Sequence, residues 1–150
     1  MLFRQHLRNV RKEISNFALK NYESKHNLDC WNQEEYIGFG LAAHSYLNNT
    51  RFSNTDNLNN YLNNGWKNKT TQEEQDEISK KYEYMLLGLR KIEGISIQKF
   101  KENFGENPLF LFRNELNKLV DEGLLIVEND IIRLTNKGLD LANLVWEEFV

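Results

Sequence analysis

Between residues 94 and 135 the chain is punctuated so closely that only short elements fit. Gly94 stops whatever precedes it, Ser96 offers an N-cap, and Asn107-Pro108 puts Asn at a cap and Pro at the first helical position. Gly123 closes that helix and Thr135 opens another. Between them, Leu124 to Val127 and Ile131 to Leu134 are β-prone runs flanking Glu128-Asn129-Asp130, which predicts a hairpin. The apolar residues recur at helical spacing in each helical segment: Ile97, Phe100 and Phe104; then Leu109, Phe112, Leu116, Leu119 and Val120; then Leu139, Ala142, Asn143, Trp146 and Phe149.

Upstream, Thr71-Gln72-Glu73-Glu74 has the capping-box pattern, and Ile78, Tyr82, Met85, Leu86 and Leu89 continue at helical spacing, predicting a helix from Thr71 to about Arg90. Gly88 inside it costs roughly 1 kcal/mol against Ala, which predicts close packing against another element. Three helices, a two-stranded wing and a further helix make residues 70–150 a mostly helical, winged-helix-like domain within an α+β chain. That topology raises a nucleic-acid-binding reading. Residues 72 to 150 carry 10 Lys or Arg against 16 Asp or Glu, so the half that would dock on phosphates has the wrong sign, and nucleic acid is not an expected partner.

Residues 1–69 read as a separate region of short strands and loops. Leu2, Phe3, Leu7 and Val10, with Arg4, His6, Arg8 and Arg11, form a short basic amphipathic segment, and Glu13 to Ala18 a brief strand. A polar stretch from Leu19 to Gln33 predicts a loop with one helical turn; within it His26, Asn27 and Trp31 could contact a ligand or simply lie on the surface. The run from Tyr36 to Tyr46 predicts a strand whose small residues, Gly38, Gly40 and Ala42, permit close backbone approach before His44. Thr50 to Ser53 predicts a strand, and Asp56 to Leu62 a helix with Leu58, Tyr61 and Leu62 inward. Nine asparagines between 48 and 68 favour turns and caps, and mark a boundary near Asn63 to Lys69.

The 150-residue chain is 40% hydrophobic, enough for a core. No apolar run approaches the roughly 20 residues needed to span a bilayer, and without a signal-peptide pattern the expected location is cytoplasmic. A solitary Cys30 allows neither an intramolecular disulfide nor a cysteine-held iron–sulfur cluster.

Several segments, in order, resemble the C-terminal part of the oxygen-independent coproporphyrinogen III oxidase family of radical S-adenosylmethionine (SAM) proteins, including its haem-chaperone branch. They are Glu13-Ile14-Ser15-Asn16-Phe17-Ala18, Tyr22 to Asn27, Tyr36 to Tyr46, Arg51-Phe52-Ser53-Asn54, Leu87-Gly88-Leu89-Arg90 with Glu93-Gly94-Ile95, and Arg133-Leu134-Thr135 with Gly138 and Asn143. The resemblance implies that 1–69 derives from the edge of a SAM barrel and that 70–150 is the family's C-terminal domain. Family members are oxidoreductases that cleave SAM at a four-iron cluster held by three cysteines. With none of those cysteines, this chain is expected to have no independent catalysis, no metal site and no cofactor of its own, and to act as a segment or partner subunit of a protein of porphyrin or haem metabolism.

The haem-chaperone branch has a His-Asn-x-x-Tyr-Trp motif after the first of these strands. Here His26-Asn27-Leu28-Asp29-Cys30-Trp31 keeps His, Asn and Trp with Cys30 at the Tyr position, which implies a haem or porphyrin contact at His26, Asn27 and Trp31. Ala42 stands where the family usually has a third glycine, and Gly38, Gly40, Ala42 and His44 would be the wall of a SAM and porphyrin pocket. The implied partners are an N-terminal radical SAM half or a second copy of the chain.

Overall fold

Asparagine and glycine at positions of positive φ cut the chain into short antiparallel strands and short helices. The computed structural model describes residues 24–64, 67 and 69–150. The expected basic segment at residues 1 to 11 and the strand from Glu13 to Ala18 lie outside the described residues. Contacts divide the chain into one unit spanning Gln33–Lys80 and a second in which residues 24–32 join 81–150.

In the unit from Gln33 to Lys80, strands β1 (His44–Leu47), β2 (Thr50–Asn54) and β3 (Lys69–Glu74) form an antiparallel sheet in that order. Leu47 pairs with Thr50 across Asn48-Asn49, whose φ values of 50° and 59° are those of a type I′ turn. Asn57 caps helix α2 (Leu58–Asn64), its side chain accepting from the Asn60 amide at 3.0 Å. Asn48, Asn49 and Asn57 thus serve a turn and a cap as the composition predicts, whereas Asn59, Asn60, Asn63 and Asn64 lie within α2 and Asn54 within β2.

Three expectations for this unit are corrected. The run from Tyr36 to Tyr46 is not one strand: after a bridge between Tyr36 and Tyr46 it turns at Gly40 (φ 114°) and Ala42 (φ 55°), and regular pairing starts at His44. Thr71 to Glu74 is strand rather than helix start, because pairing with β2 takes its backbone groups. Leu58 and Leu62 are 56% and 71% exposed, so α2 does not turn them inward.

Helix α3 (Glu77–Gly88) opens five to six residues later than expected, capped by Asp76, whose carboxylate accepts from the Ser79 amide at 2.7 Å. That amide holds the Asp76 carboxyl below the ordinary carboxylate value. There follow β4 (Ile95–Ser96), α4 (Ile97–Phe104), α5 (Pro108–Leu111), α6 (Arg113–Asp121), β5 (Leu125–Glu128) and β6 (Ile131–Leu134). The second sheet has order β4-β6-β5, all antiparallel. A helix, a short strand, three further helical segments and a hairpin whose second strand pairs back to the short one give the winged-helix arrangement. Helices α7 (Asn136–Asp140) and α8 (Ala142–Trp146) and a 3-10 turn at Glu147–Phe149 complete it.

The expected caps are in place: Ser96 Oγ accepts from the Lys99 amide, Asn107 Oδ1 from Leu109, and Thr135 Oγ1 from Gly138. Asn129 and Asp130, with φ of 48° and 66°, turn the hairpin. Asp130 also accepts from the Ser96 hydroxyl at 2.9 Å and the Gln98 amide at 3.1 Å, tying the wing to the start of α4. The expected single helix after Asn107 breaks at Phe112 (φ -106°, ψ 34°). The Phe112 ring, wholly buried, meets Tyr82, Phe100 and Phe149 edge-on at 5.0, 6.0 and 5.6 Å. Met85, Leu89, Ile95, Leu119, Ile132 and Val145 fill the same core. Ile78, Val120 and Asn143, expected inside, are exposed; Val145 takes the inward place beside Ala142. A Cβ at Gly88 would run into the Ile95 side chain, which is the close packing its position predicts. Among the described residues no helix is long and apolar enough to cross a membrane.

Candidate functional site

The two groups of candidate residues fall in different units. His26, Asn27 and Trp31 lie on α1 (Lys25–Trp31), with the residues 24–32 that join 81–150, whereas Gly38, Gly40, Ala42 and His44 lie in the unit from Gln33 to Lys80.

Where a loop with one helical turn is expected, α1 has seven residues, and Ser24 caps it by accepting from the Asn27 amide at 3.3 Å. A helix this short is marginal in water by itself, because nucleation fixes several residues for few hydrogen bonds. Its far end is held from outside. The Arg90 guanidinium lies 4.7 Å from the centre of the Trp31 ring and 4.3 Å from that of Trp146, so one cation is sandwiched between two indoles. Each such stack contributes about 0.5–2 kcal/mol. Next to it, Lys91 Nζ donates to Asn32 Oδ1 at 2.7 Å. Burial pushes the Lys91 ammonium below its ordinary value, against the opposing pull of the Glu93 carboxylate.

His26 stands on the exposed surface of α1, its Nε2 3.8 Å from Cys30 Sγ one turn on. An exposed imidazole carries ring nitrogens of the kind that can ligate a metal ion. Trp31 has one ring face covered by Arg90, so the indole serves as an anchor of the helix. Arg90, Lys91 and Trp146 are the members of this arrangement that sequence reasoning missed. The signal available was an arginine and a lysine directly after the apolar stretch of a helix ending at Gly88.

In the other unit the small residues serve the backbone itself. A Cβ at Gly38 would collide with the carbonyl oxygen of His44, so this strand-like segment lies against the start of β1 with nothing between. The Gly38 amide donates to Ser45 Oγ at 3.0 Å, and Asn54 Nδ2 reaches the carbonyls of Gly38 and Gly40 at 3.3 and 2.8 Å. Ser45 and Asn54 are both buried, so polar groups inside this unit are spent on holding the turn. His44 is exposed at the head of β1. Ile37, Phe39 and Leu41, alternating with the small residues, are 54%, 88% and 43% exposed.

A cavity of about 290 Å³ lies beside the wing, lined by residues that include Ile92, Ile126, Arg133 and Leu139, and none of the expected site residues borders it. Among the described residues no group of three or more His, Cys, Asp or Glu side chains is placed to hold a metal ion. The chain's one cysteine does not fit a three-cysteine cluster.

Comparison with known proteins connects these features. Residues 77–141 match the family profile described as the HemN C-terminal domain. The heme chaperone HemW of Lactococcus lactis subsp. lactis is 38% identical over 141 residues, covering 92% of this chain and 37% of the relative. HemW of Bacillus subtilis is likewise 38% identical over 142 residues with the same coverage. A mitochondrial radical S-adenosyl methionine domain-containing protein 1 of Dictyostelium discoideum is 30% identical, covering 89% of this chain and 36% of its own. The chain thus spans little more than a third of the length of these curated relatives. The solved coproporphyrinogen III oxidase HemN from Escherichia coli superposes with a TM-score of 0.64 at 16% identity over 77% of this chain and 28% of the enzyme, a likeness of fold.

Proposed function

From its likeness to the HemN C-terminal domain over residues 77–141 and to HemW relatives of which it spans 37%, we propose that this chain is a C-terminal part of a HemN/HemW-like radical SAM protein and the non-catalytic segment of a haem-handling assembly. In this proposal residues 1–69 derive from a barrel edge and 70–150 form the family's C-terminal domain. The chain works with an N-terminal radical SAM half, in the cytoplasm, and the four-iron cluster and SAM belong to that half. Haem or another porphyrin is cargo, met by His26 with Asn27 beside it.

The observation that carries the proposal is His26 itself: an exposed imidazole, retained within a His-Asn pair and set on a helix that is capped at one end and clamped at the other. Gly38, Gly40, Ala42 and His44 are proposed as the part of the chain nearest the cofactors of an N-terminal radical SAM half, their exposed apolar neighbours being the surface that meets it.

A haem titration followed through the Soret band tests the reading. The parent chain is expected to shift the band with saturation, and His26→Ala to weaken binding at least tenfold while His44→Ala leaves it unchanged. Indistinguishable titrations for parent and His26→Ala would sink the assignment of His26.

A further inference from the structure

Resting on the haem contact proposed above, we propose that Arg90 is the positioning residue of the site, holding α1 helical and docked so that His26 is presented to a porphyrin. Leu89, fully buried, fixes the turn after α3, and the next two residues both reach the same target. Arg90 fills the space between Trp31 and Trp146, while Lys91 bonds Asn32 at the C-cap of α1.

The polar atoms of the clamp show what holds it. Arg90 Nε and the indole nitrogens of Trp31 and Trp146 are buried with no hydrogen-bond partner among the described residues. Ring and cation faces therefore provide the contact, and the unpaired nitrogens are a cost accepted to keep them together. A planar guanidinium meets two ring faces at once, which a tetrahedral ammonium does not. His26 precedes Trp31 by five residues, about 7.5 Å along a helix at 1.5 Å per residue. Freed at Trp31, the seven-residue helix has too few internal hydrogen bonds to persist, and the imidazole loses its fixed place. By linkage, a ligand that binds only the docked helix must in turn tighten the clamp.

The test uses the full chain with Arg90→Ala and Arg90→Lys. Without haem, amide hydrogen exchange is expected to lose protection at residues 25–32 in Arg90→Ala, with residues 97–104 and 113–121 keeping theirs as an internal control of folding. Arg90→Lys should retain part of the protection. With haem, Arg90→Ala should bind at least tenfold more weakly with a displaced Soret maximum, and Arg90→Lys should fall between. Unchanged protection at 25–32 overturns the clamp. Lost protection with an unaltered haem titration overturns the positioning role and leaves His26 as a ligand standing. Lost protection with no Soret response even in the parent chain overturns the porphyrin reading while supporting the clamp. If Arg90→Ala loses protection throughout, Arg90→Lys decides by the same criteria.

Discussion

Ala42 sits at φ 55°, in the left-handed region where an L-residue is strained by roughly 1–2 kcal/mol. Glycine removes that strain but gives up about 0.5–1 kcal/mol in chain entropy, which leaves a small net gain. Ala42→Gly is therefore expected to raise the unfolding temperature slightly, by about 2–4 °C per kcal/mol gained, and Ala42→Val to lower it. Thermal melts by circular dichroism check this, and a clear drop in Ala42→Gly would contradict the dihedral argument. The sequence marks position 42 as a place where glycine is expected, but not the reason. The backbone supplies one: the Ala42 amide is pinned to the Thr55 carbonyl at 3.0 Å, and Asn54 pins the carbonyls of Gly38 and Gly40. Those partners come from β2 and beyond, so no local pattern around residue 42 announces them.

Caps were legible at the scale of elements wherever the capping residue and its helix are neighbours in sequence, as at Ser96, Asn107 and Thr135. Gly88 was legible for the same reason, since an unfavourable residue inside a strong helix requires a packing cause, here Ile95. Thr71 misled because its capping-box pattern is local while the pairing of β3 with β2 is not. Asp76 starts α3 instead, and its folded-state pKa lies below the ordinary aspartate value of 3.8 because the Ser79 amide favours the carboxylate. A depressed carboxyl contributes stability that is present above 3.8 and lost as pH falls through the lower folded value. Asp76→Asn keeps a capping side chain that does not titrate. The difference in melting temperature between parent and Asp76→Asn should be constant near neutral pH, then move against the parent below pH 3.8, the other carboxylates cancelling in the comparison. A difference that stays flat across that range would show that the cap does not discriminate between the two protonation states.

For the whole molecule, the division of the chain was the part least visible in advance. Nothing in His26 to Asn32 reveals that Arg90 and Lys91 will claim Trp31 and Asn32, because cation–π stacking leaves no periodic trace. The exposed row of Ile37, Phe39 and Leu41 was equally hidden, since alternation with small residues reads as an ordinary strand. Phe39, at 88% exposure, makes little contribution within its own unit, and we propose that it meets a surface beyond that unit. The proposed occupant is an N-terminal radical SAM half, since the chain spans 37% of the relatives it matches. Burying one such ring is worth about 1.5–3 kcal/mol, a loss of roughly tenfold or more in affinity on removal. Phe39→Ser should therefore weaken co-elution with the N-terminal part of a HemW relative by at least that factor while leaving the melting temperature of the chain unchanged. If Phe39→Ser instead abolishes a concentration-dependent dimer of the chain, the row is a contact between copies. Co-elution that survives the combined replacement of Ile37, Phe39 and Leu41 by serine would remove this surface from the interface altogether.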